Sequence, residues 1–326
     1  MATYKEIKGT QIEVLASDPS NPVEGQVWYN TTSNVLKGQA VTAAGAWSSV
    51  NNLNTARYAG GGAGTTTAGL YASGVASGGV DKHETESWNG TNWTEVNDVN
   101  DDRNGLENQG VGTQSAAMIF GGYDDAGAAV VSCETWNGTN WTEVNNVNTG
   151  GGYGGGAGTQ TAALLAGGFP GRNAVTESWN GTNWTEVNDL NTGRYNIGSS
   201  NAAPSTSMIV FGGGPPNTGV TEQWNGTNWT ETNDMNTARN ALSGAGVYAS
   251  ALGFGGNPAG SVVGLTEEWN GTNWSEVADM SVASVYRGAT GLSSSALAMG
   301  RSASPFNGVE LWTGAGAAQT RTFTDS

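Results

Sequence analysis

TESWNGTNWTEV, residues 85–96, sets how the rest of the chain is read, because its centre WNGTNW recurs at Trp88–Trp93, Trp136–Trp141, Trp179–Trp184, Trp224–Trp229 and Trp269–Trp274. Each copy follows an acidic run of strand character (TESW, CETW, TESW, TEQW, TEEW) and precedes TEV, TET or SEV. Threonine, valine and tryptophan suit pleated strands, and Asn-Gly readily supplies the positive φ angles of a tight type I′ turn. Each copy is therefore expected to be a β-hairpin. The copies begin 48, 43, 45 and 45 residues apart. A near-constant period with glycine-rich punctuation means stacked units, none of which can bury its apolar face alone.

Working outward, each unit from residue 51 onward holds four short strands. A linker ending near Arg57, Arg103, Arg194, Arg239 or Arg287 leads into a Gly/Ala-rich strand. A short turn and an apolar strand ending in glycine follow (AAMIFGG to Gly122, AALLAGG to Gly168, SMIVFGG to Gly213, SALGFGG to Gly256), and then the WNGTNW hairpin. Glycine and β-branched residues at this density disfavour a helical repeat. Four antiparallel strands in each unit form a propeller blade. Trp47, in WSSVNNLNTAR, matches the second Trp of WTETNDMNTAR and is the second Trp of a divergent repeat. The fold expected is all-β, a propeller of about seven four-stranded blades, with residues 1–50 a divergent first blade and residues 51–326 the repeat array. The alternative is six blades, Trp47–Val50 serving as the outer strand of the last beside Gly308–Trp312, with residues 1–40 a separate attachment element; against it, Val309–Phe323 could make both strands of its own hairpin. In the N-terminal segment strands are expected at Gln11–Leu15, Gln26–Tyr29 and Asn34–Gln39, interrupted at Pro19 and Pro22.

Composition narrows the function classes. Net charge is −16, from 12 Lys+Arg against 28 Asp+Glu, which disfavours binding a phosphate backbone. The acidity keeps a surface built from 52 glycines soluble. One cysteine, Cys133, excludes an intrachain disulfide framework. No apolar run reaches the length of a membrane span, and MATYKEIKGT lacks the apolar core of a signal peptide, so neither membrane insertion nor a secretory route is expected.

The double glycine after an apolar strand, followed by an aromatic and then a Trp about five residues on, resembles the kelch repeat over about residues 51–312. The resemblance implies a β-propeller. The sequence departs from the pattern at the third-strand Tyr, here Trp; at Gly151-Gly152, where other units carry Arg; and at Gly300-Arg301, which replaces the double glycine of the last unit. That unit has Trp312 and no second Trp. EGQVWYNTTSNVLKG with GAWSSV, about Glu24–Val50, resembles a short module of phage tail-fibre and related virion proteins. This second resemblance implies a particle component released by lysis.

Candidate chemistry is sparse. Kelch-class copper oxidases need at least two His ligands, and this chain has His83 alone, in GVDKHE. Neither an arginine cluster with Asp-box turns nor a partnered triad is present, so no enzyme activity and no cofactor is expected. Asp101-Asp102 and Asp124-Asp125 could offer oxygens to calcium but follow no EF-hand or nonapeptide pattern. The sequons at Asn89, Asn92 and their equivalents through Asn270 and Asn273 are explained by turn geometry. Trp47, Trp88, Trp93, Trp136, Trp141, Trp179, Trp184, Trp224, Trp229, Trp269, Trp274 and Trp312 could stack on sugars, but strict repetition favours packing between blades.

Glu86, Glu134, Glu177, Glu222, Glu267 and Glu310 lie two residues before the first Trp and share its face. Each therefore calls for a cation, which the linker arginines can supply. Variation falls instead in the loops joining strands two and three, where Tyr123, Asp124, Asp125, Phe169, Arg172, Pro215 and Asn257 are candidate binding residues. The expected role is a non-enzymatic virion-surface or tail-fibre protein. Its partners would be other virion proteins, a host receptor or glycan, and further copies of itself. The alternatives are an extracellular, self-associating bacterial protein and a glycan-acting propeller enzyme.

Overall fold

A computed structural model describes residues 12–20, 22, 25–41, 44–316 and 318–323. The signal-peptide expectation on residues 1–10 and the start of the strand at Gln11 lie outside them. No helix occurs among the described residues, and the seven four-stranded sheets expected are present. Six belong to the compact unit Ala46–Trp312, extending to Thr313 at the last strand, and one to the unit formed by residues 1–45 and 313–326.

The second unit is a sheet of Glu13–Leu15, Val27–Asn30, Val35–Val41 and Ala318–Phe323, in that order. Glu13–Leu15 runs parallel to its neighbour, and the other pairings are antiparallel. Asp18, in the proline-punctuated loop, accepts from Trp28 Nε1 at 3.0 Å and Asn30 Nδ2 at 2.7 Å and meets Lys37 Nζ at 2.7 Å. Those bonds, Lys37 first, hold its carboxyl down at about 2.

In the larger unit, blade one consists of Gly61–Gly64, Gly69–Ala72, Thr85–Trp88 and Trp93–Val96. Blades two to five span residues 110–144, 155–187, 198–232 and 243–277 with the same order. Blade six takes three strands from Gly288–Leu292, Ser295–Met299 and Val309–Thr313; its outer strand is Ala46–Val50. This is the arrangement weighed as the alternative for Trp47–Val50. Ala318–Phe323 does not complete a hairpin with Val309–Thr313 but pairs with Val35–Val41.

Six apolar clusters, each drawn from two successive blades, hold the unit together, and one of them joins blade six (Leu297, Met299, Val309) to blade one (Tyr71, Trp88, Trp93). Around the axis the innermost strands approach so closely at some glycines that no side chain would fit. A Cβ on Gly110 would lie 2.7 Å from Gly62 N and O, and one on Gly244 would lie 2.3 Å from Ser199 O. In the linker just ahead of each inner strand a residue sits in the left-handed region: Ala59, Gly105, Tyr153, Asn196, Ala241 and Tyr286. Their amides form a ring of hydrogen bonds: Ala59 to Tyr286 O, Tyr286 to Ala241 O, Ala241 to Asn196 O, Asn196 to Tyr153 O, and Tyr153 to Gly105 O. Leu106 N completes it on Ala59 O.

The hairpin turn differs from the type I′ expectation. Trp88 pairs with Trp93 across a four-residue loop in which Gly90 has φ +90°. Asn89 Oδ1 caps it by accepting from Thr91 N at 2.9 Å and Asn92 N at 2.8 Å, an Asx turn. The repeat's second Asn is used between blades: Asn97 Nδ2 of blade one donates to Asn140 Oδ1 of blade two at 2.8 Å. The same contact recurs from Asn145 to Asn183, Asn188 to Asn228, and Asn233 to Asn273.

Five of the six repeat glutamates carry the expected arginine. Arg57–Glu86 lie 2.5 Å apart, Arg103–Glu134 2.7 Å, Arg194–Glu222 2.7 Å and Arg287–Glu310 3.0 Å, and Arg239–Glu267 are also paired. Arg287 reaches its partner from a different register. It lies four residues before Gly291, whereas Arg239 lies seven before the equivalent Gly246. Glu177, whose unit has Gly151 at the arginine position, accepts instead from Asn148 N, Asn148 Nδ2 and Thr149 N at 2.7–2.8 Å.

All twelve repeat tryptophans are buried. The second Trp of a blade donates Nε1 to a threonine hydroxyl of the blade before it: Trp141 to Thr85 at 3.0 Å, Trp229 to Thr176 at 3.0 Å, Trp274 to Thr221 at 2.9 Å and Trp47 to Thr266 at 3.0 Å. Cys133 occupies the threonine position facing Trp184, whose Nε1 lacks an oxygen acceptor. Burial pushes the Cys133 thiol up to about 12. Cys133→Thr should therefore supply the missing acceptor and add about 1 kcal/mol of stability, seen as a melting temperature higher by roughly 2–4 °C. An unchanged or lower melting temperature would show that the hydroxyl does not reach the indole.

Candidate functional site

Antiparallel alternation puts the NGTN turns and the strand-one-to-two turns on one face of the larger unit. The loops joining strands two and three, with the linkers between blades, lie on the other. On the first face the turns are exposed, and their second Asn is held by an Asn of the blade before. On the second, a residue just past the end of the second strand bridges back to the linker entering its own blade: Val75 to Tyr58, Tyr123 to Asn104, Phe169 to Gly152, Gly214 to Tyr195 and Asn257 to Asn240. The loops thus rise from a fixed base around the axis.

An aromatic chain runs across this base. Ring centroids lie 5.7 Å apart for Tyr286–Tyr153, 5.4 Å for Tyr153–Tyr123, 5.9 Å for Tyr123–Phe169 and 5.0 Å for Phe169–Tyr195. Tyr123 is buried and donates its hydroxyl to Phe169 O at 2.5 Å. Burial pushes the Tyr123 and Tyr286 phenols up to about 12.

Beside this chain, between the loops of blades one and two, is a cavity of about 280 Å³ lined by Tyr58, Tyr153, Tyr286, Asp81, Asp124 and Asp125, among others. Asp81 is 3% exposed; its Oδ1 accepts from Asn104 Nδ2 at 2.7 Å, and its own amide donates to Asp125 Oδ1 at 2.7 Å. Burial, with Asp125, Asp102 and Asp124 nearby, raises Asp81 to about 6. Asp124 Oδ1 accepts from Ala126 N and Ala128 N, shaping its loop.

Under the tyrosines, blade two inserts Leu106-Glu107-Asn108-Gln109 into the axis. Asn108 Nδ2 donates to Ile197 O at 3.0 Å, and its Oδ1 accepts from Gly244 N at 3.1 Å, which ties blade two to blades four and five. Glu107, lining a small void with Tyr153 and Tyr286, is 4% exposed; its Oε1 has no hydrogen-bond partner among the described residues, and burial raises it to about 8.

Of the loop residues singled out from sequence, Tyr123 lies at the loop base, Asp124 and Asp125 line the cavity, and Phe169 joins the aromatic chain at 39% exposure. Arg172 and Pro215 are exposed and apart from the cavity. Asn257 Oδ1 accepts from Gly260 N within its own loop. His83 is half exposed, its Nδ1 2.7 Å from Asp102 Oδ1, and that hydrogen bond raises its pKa. Sequence reasoning missed Asp81, Glu107, Tyr58, Tyr153 and Tyr286. A signal for Glu107 was present: NGLENQGVG carries two residues more than NALSGAG between the linker and the inner-strand glycine. Comparison with protein families and with curated proteins found no match for this chain.

Proposed function

We propose that the protein is a non-enzymatic component of a phage particle, a tail-fibre or virion-surface protein, and that its variable-loop face contacts the host. The observation carrying this reading is the division of labour between repeat and loop. Of the residues that recur, the tryptophans and the Arg–Glu pairs are consumed in packing, and the exposed NGTN turns are the same from unit to unit. Unit-to-unit variation is greatest in the loops joining strands two and three, which rise beside an aromatic chain. The likeness of residues 24–50 to a tail-fibre module supplies the particle context. The alternative, a self-associating extracellular protein, draws on Glu13–Leu15, an edge strand with Val14 67% exposed.

Because Tyr123 is buried at the loop base, a test should spare it. With residues 125–128 and 170–172 replaced together by Gly/Ser, melting should stay within a few degrees of wild type while adsorption of particles to cells falls. Unchanged adsorption with intact folding would remove host contact from this face. Mass spectrometry that fails to find the chain in purified particles would remove the virion assignment itself.

A further inference from the structure

The cavity between the loops of blades one and two holds three carboxylates and three tyrosines, and no lysine or arginine lines it. Asp81 is the least expected of these groups. It is 97% buried by its 3% exposure, and Oδ2 receives no hydrogen bond among the described residues. A buried carboxylate oxygen without a donor is costly. Every repeat glutamate in the same unit, by contrast, has its donors supplied, five of them by arginine. At Asp81 the fold brings in two further acids, Asp124 and Asp125, where a cation would be expected. Tyrosine faces carry the negative side of the ring quadrupole, which attracts cations rather than anions.

A metal ion does not suit these groups: no three His, Cys, Asp or Glu side chains among the described residues converge as ligands would have to. Asp124 and Asp125 also spend oxygens on loop amides and on the Asp81 amide. An ammonium group suits them better, since it needs acceptors on one side and tolerates ring faces on the other. The cavity admits a small ligand only. Gly79, which lines the cavity with Asp81, belongs with Gly78 to an exposed turn with positive φ at both residues, where nothing lies within 4 Å of either Cβ direction.

We propose that this cavity binds a small organic ammonium ion, with its charge over Tyr58, Tyr153 and Tyr286 and its N–H groups directed to Asp81 and Asp125. The proposal stands on the chemistry of the cavity and is independent of whether the face contacts a host.

Two amines and their neutral counterparts test it by calorimetry on the full chain: putrescine against butane-1,4-diol, and glucosamine against glucose. At least one amine should bind saturably, with its neutral counterpart weaker by about tenfold or more, the worth of one charge-assisted hydrogen bond. Asp81→Asn should weaken the amine by about the same factor, whereas Glu95→Gln, an exposed acid on an outer strand, should leave it unchanged. Amide NMR of the wild-type protein should place the shifts at Gly79, Asp81 and Asp125, a readout that holds even if Asp81→Asn folds poorly. Failure of both amines to bind at millimolar concentration overturns the proposal. So does equal binding of the neutral compounds, or shifts that fall elsewhere on the protein.

Discussion

Glu107→Gln should make the protein more stable than wild type above pH 8 and leave it nearly unchanged at pH 4. In the folded protein Glu107 is raised from an ordinary 4.5 to about 8, first by burial. Below about pH 4.5 the acid is protonated in both folded and unfolded chains, so ionisation contributes no difference. Between the two values the unfolded chain ionises Glu107 and the folded chain does not. Ionisation therefore favours unfolding by about 1.4 kcal/mol for each pH unit, until the folded pKa is passed and the penalty levels off. Summed over the interval, the penalty is on the order of 3–5 kcal/mol, or roughly 10 °C of melting temperature. Glutamine has no proton to lose and keeps the shape. The negative charge of the rest of the chain, which also weakens folding at high pH, is common to both proteins and cancels in the difference. Melting curves from pH 4 to pH 9 should diverge upward for the variant. Parallel curves would mean that Glu107 titrates like an exposed acid and that the axis is wetter than its burial implies.

This acid shows where sequence and structure part. The blades were legible because their determinants are local: an Asx-capped NGTN loop, a Trp on each side, and glycine at the end of the apolar strand. The Arg–Glu pairs were legible because period-two alternation places Glu86 and Trp88 on one face, and a buried acid calls for a cation. Pairing across the chain was harder. Ala46–Val50 completes blade six because Val309–Thr313 lacks a following WTEV strand. That fact was visible, but a hairpin with the C-terminal residues satisfied the same need. Apart from the two-residue lengthening around Glu107, the axis was not legible. Asn108 bonds to residues 89 and 134 positions away, and Tyr58, Tyr153 and Tyr286 occupy equivalent linker regions without any shared motif. Their meeting depends on ring geometry, which no spacing in the sequence encodes. Asp81 escaped notice for a related reason: in GVDKHE it reads as one more loop acid, and its burial arises only when the neighbouring blade supplies Asn104 and Asp125.

Arg239→Met should destabilise the protein by about 3–5 kcal/mol, the cost of stranding a buried charge. The guanidinium is fully enclosed and makes four kinds of contact: Nε to Gly255 O at 3.0 Å, Nη1 to Thr237 O at 3.1 Å, Nη2 to Gly253 O at 3.2 Å, and the ion pair with Glu267. It thereby joins the linker, the end of the second strand and the third strand of blade five. Glu267 remains capped by Asn236 N at 2.7 Å and Asn236 Nδ2 at 2.9 Å when the arginine is gone. Blade three shows that such caps can hold the acid alone, since Glu177 is 1% exposed with no arginine. That blade, however, has Gly151 at φ +150°, where a Cβ would fall 1.9 Å from Phe169 O. Its linker is thus drawn in against the neighbouring loop and leaves no room for a side chain. Blade five has the room, and methionine would fill the stem's volume without the donors. The carbonyls of Gly253 and Gly255 would lose their partners and the carboxylate its counter-charge. Adding Glu267→Gln should recover about 1–2 kcal/mol of that loss, because the acid no longer has to be held charged in a dry interface. Urea denaturation of the two single variants and the double variant closes the cycle. If the double variant loses the sum of the two single losses, the charges are uncoupled, and the arginine acts only through the carbonyls it binds.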